Sequence, residues 1–247
     1  MYGDDKAGRA RLDAYAVARR APVMAQVGWI AQAGEPTAQA NLREQLIATL
    51  SDLGNPATIM EARRRHAAMD SDPAAVPGAL RKTIMAVVAE HADAPTWEAL
   101  RRAASLEKSP MIKGTMYALL ASSKDRVLAE RALALALSNE PGATNGAAMI
   151  STVAQSHPEL AFDFALANIK AVNERVDATS RSRYVPMLAG GAATVAMIDK
   201  VQAYAEAHIA KNARRDADTA VVGIRDRIAV RRARLPEIDA WLAQGGR

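Results

Sequence analysis

The 247-residue chain contains no cysteine, and only 4% of its residues are aromatic. Without a thiol it can have no disulfide framework, no Cys-ligated zinc site, no iron–sulfur cluster and no thiol nucleophile. The lack of cysteine sets no compartment, because exported proteins can also do without it. No apolar run reaches the roughly 18 residues of a membrane span. The opening Met1-Tyr2-Gly3-Asp4-Asp5-Lys6 lacks the apolar segment of a signal peptide. The sequence therefore predicts a soluble chain with no membrane contact. What is abundant is alanine, within a 50% hydrophobic composition. Alanine loses no side-chain entropy in a helix, so the composition predicts helix. The length suits one large domain or two small ones.

The charge balance is modest: 32 Lys+Arg against 27 Asp+Glu, a net +5. The cations cluster at Arg63-Arg64-Arg65, Arg101-Arg102, Arg214-Arg215, and Arg231-Arg232 with Arg234. Glu61, Glu98, and Asp216 with Asp218 lie beside the first three, which reads as solvated helix faces. A nucleic-acid surface would draw affinity from such clusters by counterion release, but few aromatics are available to stack on bases. The expectation is no nucleic-acid partner.

Apolar residues recur with helical spacing almost throughout. Leu42, Leu46, Thr49, Leu50 and Leu53 share one face, and Gly54-Asn55-Pro56 stops that helix and starts the next. Leu80, Ile84, Val87 and Val88 follow the breaks at Pro73 and Pro77. Trp97, Leu100 and Ala104 mark a helix beginning near Pro95. Ser109-Pro110 reads as an N-cap and first helical residue before Ile112, Met116, Leu119 and Leu120. Asp125 caps a helix with Leu128, Ala132 and Leu135, which Pro141-Gly142 ends. Further helices carry Ile150 and Val153, then Leu160, Phe164 and Ile169, then Ser180 to Leu188. Beyond the turn at Gly190-Gly191 lies a helix from Thr194 to His208 with Met197, Ile198, Val201 and Tyr204 inward. A long helix from Arg214 to Arg234 has Ala217, Val221, Ile224 and Ile228 as its stripe, and Pro236 opens a last short helix with Trp241 and Leu242 before a frayed Gly245-Gly246-Arg247. No stretch shows strand periodicity. Breaks fall about every 15–20 residues and helix pairs recur at roughly 35–40, the spacing of HEAT-like and armadillo-like arrays. The predicted fold is all-α: a right-handed superhelix of antiparallel helix pairs, forming a single helical-repeat domain over residues 1–247.

Catalytic patterns are absent. His66, His91, His157 and His208 never fall within one helical turn of each other, so no His-Glu-x-x-His exists. Gly-x-Ser-x-Gly, the phosphate-cradling P-loop and the dinucleotide Gly-x-Gly-x-x-Gly are missing; Lys113-Gly114-Thr115 has the wrong order. The acid pairs Asp70/Asp72 and Asp216/Asp218 lie in predicted turns or helix starts, where they cap. Thr179-Ser180-Arg181-Ser182-Arg183-Tyr184 is either an N-cap region with two solvated arginines or a set of Arg and Tyr donors for a peptide carboxylate. Arg181, Arg183 and Tyr184 are accordingly the candidate substrate-binding residues.

Several segments together resemble the C-terminal domain of the gluzincin zinc aminopeptidases, the alanyl, puromycin-sensitive and endoplasmic-reticulum antigen-trimming family. Asp13-Ala14-Tyr15-Ala16 and Pro22-Val23 run into Val27-Gly28-Trp29, similar to the family's Leu-Gly-Trp entry to this domain. Gly34-Glu35 and Leu42-Arg43 follow, and Leu53-Gly54-Asn55-Pro56 with Glu61-Ala62-Arg63-Arg64 resembles a repeat start. Leu80-Arg81, Trp97, Tyr117 to Asp125, Arg214-Arg215, Ile224 to Ile228 and the closing Ile238-Asp239-Ala240-Trp241-Leu242 continue the likeness in order. The resemblance implies a non-catalytic helical domain that walls the substrate chamber over a catalytic domain of the same polypeptide and helps hold the peptide substrate. It implies no cofactor in this chain, with zinc in the catalytic domain. The family's zinc motif and its Gly-x-Met-Glu-Asn exopeptidase motif are missing here, and the chain is expected to begin one or two helix pairs late in the domain. On this reading the parent is a zinc metallo-aminopeptidase and the isolated chain hydrolyses no peptide. Two alternatives remain: a stand-alone helical-repeat scaffold for protein partners, and a helical-repeat nucleic-acid enzyme such as a DNA-repair glycosylase.

Overall fold

The computed structural model describes residues 6–69 and 71–245. Asp70, Met1 to Asp5, Gly246 and Arg247 lie outside them. The described residues contain thirteen α-helices, short 3-10 turns and no strand. They fall into two compact units, Met1–Val88 with Ala233–Arg247, and Ala89–Arg232.

The first unit contains α1 (Lys6–Val27), α2 (Thr37–Asp52), α3 (Pro56–Ala68), most of α4 (Arg81–Glu90) and the end of α13 (Arg215–Ala243). Its core is Met24 and Val27 of α1, Leu46, Ile47 and Leu50 of α2, Ala62 of α3, and Val76, Leu80, Ile84, Val87 and Val88. Gly54 takes the left-handed conformation (φ 73°) that ends α2, and Asn55 accepts the Thr58 N–H at 2.9 Å to cap α3, with Pro56 at its first position. This is the junction read from Gly54-Asn55-Pro56.

Two expectations need correction here, and one helix was not anticipated. The α2 stripe is rotated: Leu42 is 40% exposed, whereas Arg43 is buried and Ile47 fully so. The reason is Arg43 itself, whose fixed partners turn the helix (below). Helix α1 falls outside the predicted elements, and it carries Pro22 inside it. α13 runs unbroken past Pro236, which was expected to open a separate helix. Proline removes one helical N–H and frees the carbonyl four residues earlier. Those residues, Ala18 and Arg232, are both exposed, so water can serve their carbonyls and the helices continue. Within this unit Tyr15 packs edge-on against Trp241 at 4.9 Å, and Arg11 pairs with Asp239 at 2.9 Å.

The second unit contains α5 (Ala94–Leu106), α6 (Pro110–Ala121), α7 (Arg126–Ala136), α8 (Ala143–Ser156), α9 (Pro158–Ala167), α10 (Ile169–Asn173), α11 (Arg181–Leu188), α12 (Val195–His208) and most of α13. Asp93 and Asp125 cap α5 and α7 through the N–H groups of Thr96 and Leu128. Ser109 stands at the α6 N-cap, but its side chain makes no cap bond; its own N–H donates to Glu107 at 2.7 Å instead. On α6, Tyr117, Leu120 and Ala121 are the buried residues and Ile112 is exposed. The predicted Leu160–Phe164–Ile169 stripe is also displaced. Asn168 breaks the helix into α9 and α10 and donates from its side chain to Phe164 O, and Ala161, Phe162 and Ala165 take the buried face.

Successive helix pairs of this unit are joined along the chain of turns. The Lys124 N–H donates to Glu90 O at 2.9 Å. His157 Nε2 lies 3.0 Å from Ser123 O, Thr194 donates to Glu159 at 2.7 Å, and Arg227 Nε donates to Ala192 O at 2.7 Å. The last three contacts join residues 34 or 35 positions apart. Helices α7 and α8 cross so closely that a Cβ on Gly146 would stand 2.3 Å from Ala136 O. Backbone cannot yield there as a side chain can, so Gly146→Ala is expected to destabilise by about 1–3 kcal/mol in denaturant melts. A loss below a few tenths would show that the crossing is loose.

Candidate functional site

The second unit holds a cleft of about 460 Å³ lined by Trp97 and Arg101 of α5, Arg131, Ala134 and Leu135 of α7, and Ser138 and Glu140 beyond it. Trp97 and Leu135 are buried and supply the apolar part of the lining. Trp97 is fixed because its indole N–H donates to Leu120 O at 3.0 Å. The Arg131 guanidinium lies over the Trp97 ring, 4.8 Å from its centroid, and donates to Glu98. Glu98 is also 3.9 Å from Arg101, which pairs with Glu140 at 2.7 Å. The Tyr117 hydroxyl donates to Glu140 at 3.3 Å. Each carboxylate is thus matched by a guanidinium.

Two protonation states follow from this order. The Arg101 guanidinium holds the Glu140 carboxyl below its ordinary value. Burial, followed by the Glu140 charge, pushes the Tyr117 hydroxyl up to about 12. Near neutral pH Glu140 is ionised and Tyr117 protonated, so neither is poised to exchange a proton. Because the folded state lowers the Glu140 pKa, its contribution to stability is present above the ordinary carboxylate value of 4.5 and is lost as pH falls through the lowered one. Glu61, held down by Arg64 and Arg65, adds in the same sense. Unfolding free energy is expected to decline below about pH 4.5, with a shallower decline in Glu140→Gln. An identical pH slope in that variant would remove Glu140 from the account.

The candidate residues Arg181, Arg183 and Tyr184 all lie on α11, but the structure does not converge them. Arg181 Nε donates to Val176 O at 3.2 Å, and Arg183 donates to Ser180 Oγ at 3.1 Å. Two positions apart on a helix, the arginines point about 200° from each other. Tyr184 is half-buried; its hydroxyl donates to Ala147 O on α8 at 2.6 Å, and burial pushes its pKa up to about 12. It ties α11 to α8.

Sequence reasoning missed Arg131 and Glu140, and it read Arg101 only as part of a solvated cluster. The available signal was opposite charge one helix pair apart: Glu98 and Arg131 are separated by 33 residues, Arg101 and Glu140 by 39. It also missed Arg175, which donates to the carbonyls of Ala136 and Leu137 at the C-terminal end of α7 and to Ala171 O. Nothing local in the sequence marks that role.

Asp72, of the acid pair Asp70/Asp72, accepts the Ala74 N–H as a cap, and Asp216 and Asp218 stand in the first turn of α13. Among the described residues no group of three or more His, Asp or Glu side chains could hold a metal ion. Among them, too, no helix is long and apolar enough to cross a membrane.

Residues 1–226 match the family model of the ERAP1-like C-terminal domain. The match covers most of the chain, and this all-helical chain belongs to that family, the C-terminal domain of ERAP1-type aminopeptidases. No curated protein matches the chain at a significant level.

Proposed function

We propose that this chain is the non-catalytic domain of a zinc aminopeptidase, walling the substrate chamber over the catalytic domain of the same polypeptide and holding the body of the peptide away from its N-terminus. The observation that carries the reading is the family match over residues 1–226. Contacts repeating at 34 and 35 residues support stacked helix pairs, and with them a HEAT-like or armadillo-like right-handed superhelix whose inner face meets the peptide. Zinc and the bond-breaking groups belong, on this reading, to the catalytic domain. Among the three candidates, Arg183 is best suited to touch substrate: it is exposed, and its hydrogen bond is to a neighbouring serine rather than to an acid. Tyr184 serves by positioning α11.

The purified chain is expected to release no aminoacyl reporter with or without zinc, and the reading frame upstream is expected to encode His-Glu-x-x-His. In the parent enzyme Arg183→Ala should raise KM for long peptides and leave turnover of a single-residue reporter unchanged. Zinc-dependent hydrolysis by the chain alone, lost on mutating one of its own residues, would overturn the non-catalytic role. An upstream frame without the motif would leave a protein-binding scaffold in its place.

A further inference from the structure

Arg227 and Arg231 of α13 differ from the clusters on α3 and α5. Arg64 and Arg65 share Glu61, and Arg101 lies between Glu98 and Glu140. Between positions 225 and 232, α13 carries Arg225, Arg227, Arg231 and Arg232 against one acid, Asp226. None of the four has a carboxylate within salt-bridge distance among the described residues. Arg227 is the best fixed: its Nε–H donates to Ala192 O at 2.7 Å. Its guanidinium folds back over Gly223, where a Cβ would come 3.5 Å from Nη1. Among the described residues the two terminal nitrogens have no hydrogen-bond acceptor. One turn on, Arg231 is half-buried on the same side, and burial, followed by the Arg231 charge, lowers the Arg227 pKa. Like charges held together on a rigid helix, with donors pre-aimed and unused, are arranged for an anion.

We propose that Arg227 and Arg231, one turn apart on the same side of α13, form a docking site for an acidic protein segment as its carboxylate-binding pair. Two features favour protein over nucleic acid. Val230, 53% exposed and three positions from Arg227, gives a partner apolar contact that a phosphate backbone cannot use. Residues 215–232 contain no aromatic side chain on which a base could stack. The surface does not depend on the chamber reading; a scaffold could carry it equally well.

The test is fluorescence anisotropy with a short labelled peptide of Glu, Asp and Leu, alongside an oligothymidylate of equal charge, both on the whole chain. Saturable peptide binding is expected, weakened about tenfold by Arg227→Gln with Arg231→Gln, as for loss of charge-assisted hydrogen bonds. Arg231→Gln alone leaves the Arg227–Ala192 bond in place and should still weaken binding severalfold, which separates lost binding from lost folding. Removing the same charge elsewhere, by Arg20→Gln with Arg102→Gln, should change affinity less than about twofold. No peptide binding, equal loss in the control pair, or tighter binding of the oligothymidylate would each overturn the proposal.

Discussion

Arg43→Ala is expected to cost about 3–5 kcal/mol of unfolding free energy, the range for breaking a buried, hydrogen-bonded ion pair from one side. Arg43 is 2% exposed. It makes a two-pronged pair with Glu35, 2.6 Å on each side, and donates to the carbonyls of Val27 at 3.2 Å and Gly28 at 2.8 Å. One guanidinium therefore neutralises a shielded carboxylate and serves the carbonyls at the end of α1. The Glu35 carboxyl is held below its ordinary value first by its hydrogen bond to Arg43, so removing Arg43 takes away the main support of that carboxylate. Arg43→Lys cannot reproduce the fork and should recover only part of the loss. Urea unfolding at neutral pH measures both. A loss under about 1 kcal/mol for Arg43→Ala, the scale of an exposed ion pair, would mean that water reaches the site.

Trp97→Ala is expected to cost about 3–5 kcal/mol, because a large fully packed side chain leaves a cavity that the surroundings fill only in part. The ring is 1% exposed. Truncation also takes away the floor of the α5–α7 cleft and the ring beneath Arg131. Trp97→Phe divides the effect. It keeps an aromatic face but removes the N–H that serves Leu120 O, an expected loss of about 1–3 kcal/mol beyond the change in size. Equal losses in the two variants would show that the hydrogen bond, and not the packed volume, dominates.

The fold was legible wherever local chemistry decides it. Gly54-Asn55-Pro56, Pro95, Asp125 and Pro141-Gly142 mark helix ends because caps and breakers act within a few residues. The stripes on α4, α5, α7 and α12 were legible because each buries its apolar face in the usual way. Legibility failed where a polar or imino residue meets a distant partner or water. The α2 stripe is set by Arg43, which is buried through a residue eight positions back and a carbonyl fifteen back. Pro236 read as the start of a separate helix, but exposure of the residue whose carbonyl it orphans lets α13 pass, as α1 passes Pro22. The candidate cluster on α11 was chosen for composition, and helix geometry separates its arginines.

By itself the sequence determined an all-helical chain without cysteine chemistry, its main helix boundaries and its family resemblance. These rest on propensity, capping and motif order, all of which act locally. Only the tertiary structure decided that Glu98, Arg101, Arg131 and Glu140 meet around Trp97, that Tyr184 spends its hydroxyl on Ala147, and that Arg227 is fixed with open donors. Those partners lie 33–39 residues apart, and a side chain's charge or hydroxyl is satisfied by whatever the packing brings to it, not by its neighbours in the chain.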